Sequence, residues 1–227
     1  MTKIEKLTNL LAGILDHFAS QPDKENVRFI TLIKDKFGFE KEFGWNKLLN
    51  AIYLLQDTEL AKKSFRKFSL QGPSSDNDIG ERYLRLYGIL NAYCLQKDAA
   101  INLVEVFKIK DKTQVKNDFD QLNIIQLRNK VAHLAAYSSD RREKQKIDVY
   151  ELHQFKLSIG EIVLCKNQVD FEEYNLNDSM DEFDTYLGQL LVAINKKLIK
   201  KVFSSQGEFQ IKLEKIITDA YPVDKTV

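Results

Sequence analysis

From Ile79 to Phe107 the chain runs without a proline, and Tyr83, Leu86, Leu90 and Tyr93 recur at three- and four-residue steps that Ile101 and Val104 continue. Such a stretch has one regular solution, a long amphipathic helix, and other elements must then cover its apolar stripe. The same spacing appears in Ile4, Leu7, Leu11, Ile14 and Phe18, and again in Val27 to Phe37 and Trp45 to Leu55. With 3 prolines and 9 glycines among 227 residues, few positions interrupt a helix. The expected class is therefore mainly α. At 44% hydrophobic and 30% charged residues the chain is composed like an ordinary globular protein with one sizeable core, with room for a small appendage. A net charge of +1 excludes a polyanion binder recognisable by bulk charge, so any affinity for nucleic acid must come from a local patch.

Along the chain, residues 1–68 read as an N-terminal segment of three or four short helices. The run Ser69 to Asp78 gathers Gly, Pro, Ser, Asp and Asn and reads as a loop between two layers. After the helix from Ile79, Asp111 to about Tyr137 forms the next helical region. From His153 the period shortens: Phe155, Leu157, Ile159, Ile162 and Leu164 alternate with polar residues, and Val169 and Phe171 follow Lys166-Asn167-Gln168, which predicts a β-hairpin at about 153–174. Ser179 and Glu182 then make a capping-box pattern ahead of a helix running to about Phe203. Residues 207–227 are a terminal element whose type the pattern leaves open.

Met1 to Lys6 lacks a basic region followed by an apolar run, and no window approaches the roughly 20 apolar residues of a membrane span, so the expected location is cytoplasmic with no membrane partner. Cys94 and Cys165 lack CxxC spacing and are expected to be buried small hydrophobes. His17, His133 and His153 are scattered, without HExxH or paired carboxylates, so neither a metal site nor a cofactor is expected. His17 and His153 read as solvated or locally hydrogen-bonded side chains.

One hexapeptide stands out chemically: Arg128-Asn129-Lys130-Val131-Ala132-His133. With Leu127 at zero and about 100° per residue, Ile124, Val131 and Leu134 fall within roughly 60° of it, while Asn129 and His133 fall near 200° and 240°. Ala132 and Ala136, at roughly 140° and 180°, place small residues on the polar face, with Arg128 at its flank near 100°. A second helix could approach that face closely.

This helix resembles the signature helix of HEPN domains, whose hallmark is Arg, a polar residue that is often Asn, a few variable residues and then His. The match lies at Arg128, Asn129 and His133. The resemblance implies an HEPN-like helical bundle over residues 79–206 with the β-hairpin inserted before its last helix, residues 1–68 being an extra N-terminal helical segment. It implies a homodimer with signature helices face to face. In many members it implies a metal-independent endoribonuclease, in toxin–antitoxin or antiviral defence settings where an antitoxin or other regulatory protein is a further partner.

The chemistry can be argued from the side chains themselves. Cleaving RNA requires removing the 2′-hydroxyl proton, stabilising charge on the phosphorane and protonating the 5′-oxygen. Histidine, with an unperturbed pKa of about 6.5, suits both proton transfers. Arg128 offers a permanent charge and a planar donor fork, and Asn129, one turn before His133, could orient the ring or bond phosphate. Lys130 and the loop residues Arg141, Arg142 and Lys144 are the candidate RNA contacts. Against this stands a plainer account, in which Arg128 pairs with Asp120 or Glu151 and His133 is an exposed helical residue. Between the two lies a non-catalytic helical dimer that holds RNA, a nucleotide or a protein in the same groove. For Lys196, Lys197, Lys200 and Lys201, complementing a helix dipole competes with binding RNA, and the loop around Arg141 reads equally as solvated ion pairs. Tyr83, Tyr87 and Tyr93 read as core.

Overall fold

The computed structural model describes residues 1–20, 31, 33, 36–39, 43–74, 78–131, 136–137 and 148–222. Over these residues the protein is mainly helical with a small antiparallel sheet. In chain order the elements are α1 (Lys3–Ala19), α2 (Phe43–Phe68), α3 (Ile79–Phe107), α4 (Lys112–Gln121), α5 (Asn123–Val131), β1 (Ala136–Tyr137), β2 (Asp148–Leu152), α6 (Gln154–Ser158), β3 (Ile162–Lys166), β4 (Asp170–Tyr174), α7 (Leu176–Val202) and α8 (Gly207–Ala220). No helix among the described residues is long and apolar enough to cross a membrane.

The chain forms two compact units. The first contains residues 1–57, 96–116 and 184–227, and the second residues 58–95 and 117–183, so α2, α3, α4 and α7 each contribute to both. In the first unit α1 starts with a capping box, Thr2 accepting from the Glu5 amide while the Glu5 carboxylate accepts from the Thr2 amide. Its stripe of Ile4, Leu7, Leu11, Leu15 and Phe18 is buried. Asn195 of α7 donates to the carbonyls of Leu7 (3.1 Å) and Leu191 (2.9 Å), an amide buried at the end of this stripe. Phe18, Phe37, Trp45 and Phe107 cluster beside it, Phe18 meeting Phe37 edge-on at 5.1 Å.

In the second unit Tyr93 of α3 is buried edge-on against Phe183 at 4.8 Å, with Phe119 behind the same ring. Lys62 and Glu59 pair at 2.5 Å in the interior, and the Lys62 ammonium lies 4.8 Å from the Tyr93 ring centre. The sheet is ordered β1-β2-β3-β4, every neighbour antiparallel, with Glu151 opposite Cys165 and Cys165 opposite Phe171. Asn167 and Gln168 turn the β3–β4 hairpin at positive φ, which asparagine tolerates better than most residues. The Asn167 side chain also completes the ladder, accepting from Val149 N and donating to Asp148 at 2.9 Å each.

Several sequence expectations change here. The helical run read from Trp45 to Leu55 is part of one long helix, α2, where the pattern of residues 1–68 predicts only short ones. The helical region expected from Asp111 to Tyr137 is broken at Leu122, whose carbonyl receives the first bonds of α5, and Ala136–Tyr137 is strand. Ala136 therefore does not extend a small-residue helix face. Residues 154–158 are a helix and not the first hairpin strand: His153 caps it, Gly160 at φ 90° ends it, and only Leu157 of the alternating Phe155, Leu157 and Ile159 is buried. The hairpin is β3–β4, and β2 joins it as an unanticipated third strand. Asn175, and not Ser179, caps α7, accepting from Asn177 N and Asp178 N at 3.0 and 3.3 Å. Cys94 and Cys165 are half-exposed free thiols, where burial was expected. The terminal element is a helix, α8.

Candidate functional site

The last turn of α5 carries the first half of the hexapeptide. Ile124 and Leu127 bury one face of the helix in the second unit, while Ile125, about 160° from Leu127, is buried on the side that carries Asn129. That anchoring sets the directions in which Arg128, Asn129 and Lys130 leave it. Asn123 holds the start of α5, the backbone N–H and the side-chain amide both donating to Glu182 at 3.3 and 3.2 Å. Glu182 thus satisfies the N-terminus of α5 instead of closing a capping box on its own helix.

Arg128 and Asn129 are half-buried neighbours, with Arg128 Nη1 donating to Asn129 Oδ1 at 3.3 Å. The bond engages the Asn129 carbonyl oxygen and none of its amide N–H groups. Arg128 Nε is enclosed and has no acceptor among the described residues. Neither Asp120 nor Glu151 pairs with Arg128 among the described residues, so the surface ion pair of the plainer account is not formed there. What stands at this point is a guanidinium with donors to spare beside an oriented amide, a combination suited to a phosphate group. His133, Arg141, Arg142 and Lys144 lie outside the described residues.

Lys130 points the other way. Its ammonium donates to Glu172 Oε2 at 2.6 Å and to Tyr174 OH at 2.9 Å, and sits 4.7 Å from the centre of the Tyr150 ring. Tyr174 OH donates to the same Glu172 oxygen at 2.8 Å, and Tyr150 OH reaches the other at 3.4 Å. The lysine side chain is only 12% exposed. Burial alone would favour the neutral amine, but the bonds to Glu172 and Tyr174 outweigh it and raise the lysine pKa above its ordinary value. Burial likewise opposes the Glu172 carboxylate, yet Lys130 and Tyr174 hold its pKa below the usual glutamate range. Burial is the first cause raising the Tyr174 phenol. Lys130, assigned to RNA on charge alone, is thus engaged in fastening α5 to the sheet.

The sequence contained the signal for this. On the helical wheel Lys130 lies about 60° from Leu127, on the core side. In β4, Glu172 and Tyr174 are two residues apart and so share a face, and the register places Tyr150 of β2 in line with Asp170 through Lys166, one same-face step from Glu172. No single-residue motif marks Glu172, Tyr174 or Tyr150, so inspection of the hexapeptide alone passes over them.

A cleft of about 480 Å³ opens nearby in the second unit, lined by Phe65, Leu70, Ile162 and Tyr174. Its described lining includes Glu161 and Glu173 but no lysine or arginine, which suits it poorly to phosphate. Among the described residues no group of three or more His, Cys, Asp or Glu is arranged to hold a metal ion. His153 spends its Nδ1 on the Lys156 amide at 3.4 Å, the locally bonded state expected of it. No family model matches the sequence, and comparison with curated proteins and with solved structures gives no match.

Proposed function

We propose that the protein is a metal-independent endoribonuclease of the HEPN kind, acting on single-stranded RNA. The observation that carries the reading is the Arg128–Asn129 pair: a half-buried guanidinium without a carboxylate partner among the described residues, one of its N–H groups enclosed and unmatched, beside an amide. An enclosed donor without an acceptor is costly, and a phosphate oxygen would relieve that cost. In the proposed reaction Arg128 binds the scissile phosphate and Asn129 orients it. His133, four residues on, removes the 2′-hydroxyl proton. The attack yields a 2′,3′-cyclic phosphate and a 5′-hydroxyl, so DNA, lacking the nucleophile, is inert.

A homodimer with paired signature helices would supply a second histidine as the acid for the leaving oxygen. Toxin–antitoxin or antiviral defence is the setting proposed for such an activity, with an antitoxin or another regulatory protein as its restraint. The second reading is a non-catalytic dimer, a binding module that holds RNA, a nucleotide or a protein partner in the same groove. The engagement of Lys130 by Glu172, which takes one cation away from phosphate, leaves room for an occupant other than RNA.

Incubation with a mixed single-stranded RNA pool in excess EDTA separates the two. The nuclease reading expects cleavage by wild type with cyclic phosphate ends, and a loss of at least about 100-fold in rate for Arg128→Ala and His133→Ala. Cleavage that persists undiminished in both variants refutes the assignment, and RNA retained uncut by the wild-type dimer supports the binding module.

A further inference from the structure

The first unit contains a group of lysines that the site above does not use. Lys36, Lys108, Lys197 and Lys201 come from three separate stretches of chain. Lys197 donates to the Lys108 carbonyl at 3.0 Å, just past the end of α3. Lys201 and Lys36 exchange bonds, each ammonium donating to the other residue's carbonyl, at 3.3 and 3.5 Å. The Lys201 ammonium also lies 5.9 Å from the Phe37 ring centre. None of the four forms an ion pair with a carboxylate among the described residues.

Among the described residues, the acidic groups nearest in sequence to Lys108 are otherwise engaged. Glu105 is held by Lys47 at 3.0 Å and by Lys112, and its pKa is lowered by those two lysines. Asp111 caps α4 through the Gln114 amide at 2.9 Å. Among the described residues these six lysines, Lys47 and Lys112 included, accompany the two carboxylates Glu105 and Asp111. Lys201 registers the crowding: its pKa falls below the ordinary lysine value, first through burial and then through repulsion from Lys197 and Lys108.

Capping of helix ends accounts for part of this arrangement. The C-termini of α3 and α7 each present about half a negative charge, about one together, against the four ammonium groups. By that reckoning roughly three positive charges are left without a counter-charge among the described residues. The ammonium groups of Lys36, Lys197 and Lys201 each keep donors beyond the one given to a carbonyl.

We infer that this lysine cluster of the first unit is a binding site for the phosphate backbone of single-stranded RNA. The choice of RNA among polyanions rests on the nuclease reading. The contacts themselves are with phosphate and carry no base preference, so the cluster holds substrate without selecting sequence. Lys197 and Lys201, one turn apart on α7, lie about 6 Å from each other along the helix, close to the reach between successive phosphates.

The test uses a labelled oligouridylate with 2′-O-methyl groups, which binds as RNA does but has no nucleophile to be cleaved. Anisotropy titrations over a range of salt compare wild type with Lys197→Gln/Lys201→Gln and with the fourfold alanine variant at 36, 108, 197 and 201. Lys212→Gln/Lys215→Gln, two exposed lysines of α8, matches the double variant in charge. The double variant is expected to bind about tenfold more weakly at low salt, and the slope of log affinity on log salt to shrink by about 0.7 per lysine removed. The α8 variant is expected to bind as wild type, with all variants melting as cooperatively as wild type.

Absence of wild-type binding at low salt overturns the assignment. So does equal weakening in the α8 variant, which would mean bulk charge only, and so does capture of phosphatidylglycerol vesicles through these lysines by a protein that does not bind the oligomer. The two proposals can fail separately. If the lysines bind the oligomer and unmodified RNA is never cut, the nuclease reading falls and this one stands. If cleavage continues with unchanged KM in the fourfold variant, this one falls alone.

Discussion

Lys130 shows how far a residue's role depends on what faces it. Adjacent in sequence to Arg128 and Asn129, it would join them on phosphate if side chains followed sequence order. One step of about 100° sends it to the sheet. Replacing Lys130 with Ala leaves the half-buried Glu172 carboxylate with Tyr174 but without its cation, and is expected to destabilise the native state by about 2 kcal/mol in urea unfolding at neutral pH. Lys130→Ala/Glu172→Gln should recover part of that loss, because the charge is removed along with its partner. The pair also sets a pH dependence. The lowered Glu172 pKa contributes stability in full above the ordinary glutamate value of about 4.3, and that contribution is lost as pH falls through the lower native value. The raised Lys130 pKa contributes in full below the ordinary lysine value and is lost only as pH rises through the elevated one. Wild type should therefore lose more stability than Glu172→Gln on acidification from pH 6 to about pH 3, and a parallel loss in the two proteins would remove this pair from the acid response.

At the scale of elements, the long helices were legible and their ends were not. α3 matches its expected span because its period is sustained over eight turns, and α7 ends within a residue of expectation for the same reason. Ends depend on single groups with competing partners. Ser179 and Glu182 have capping-box spacing, yet Asn175 reaches the free amides first, and Glu182 is drawn to Asn123. Asn175→Ala should accordingly cost about 1 kcal/mol, while Ser179→Ala, which removes only a hydroxyl bonded to the Asn175 carbonyl, should cost less. Thermal melts of the two variants check the order, and a larger loss for Ser179→Ala would restore the capping box. Around residues 153–159 alternation misleads because five residues fit a strand or a single helical turn equally well. Burial decides, and it selects Leu157 alone. β2 escaped notice because Val149 and Leu152 are too few to establish a period. In the site, Arg128 and Asn129 were identifiable from their spacing to His133, whereas Glu172 and Tyr174 depend on strand register, which is a property of paired chains.

At the scale of the whole molecule, neither unit is a continuous piece of chain. The first draws on residues 1–57, 96–116 and 184–227, so a fragment of residues 79–206, the span of the HEPN resemblance, keeps the apolar faces of α3 and α7 but loses α1, α2 and α8 entirely. That fragment is expected to lack a cooperative melt and to be cleaved rapidly by protease, while full-length protein unfolds in a single transition. A compact, protease-resistant fragment would show that the resemblance marks an autonomous folding unit. The same partition orders events during synthesis. When residue 183 has left the ribosome, every segment of the second unit is present, although its chain begins only at residue 58. α1, made well before α7, must wait for Asn195 and the rest of residues 184–227 to complete its native contacts, and until then its apolar stripe is open to chaperones.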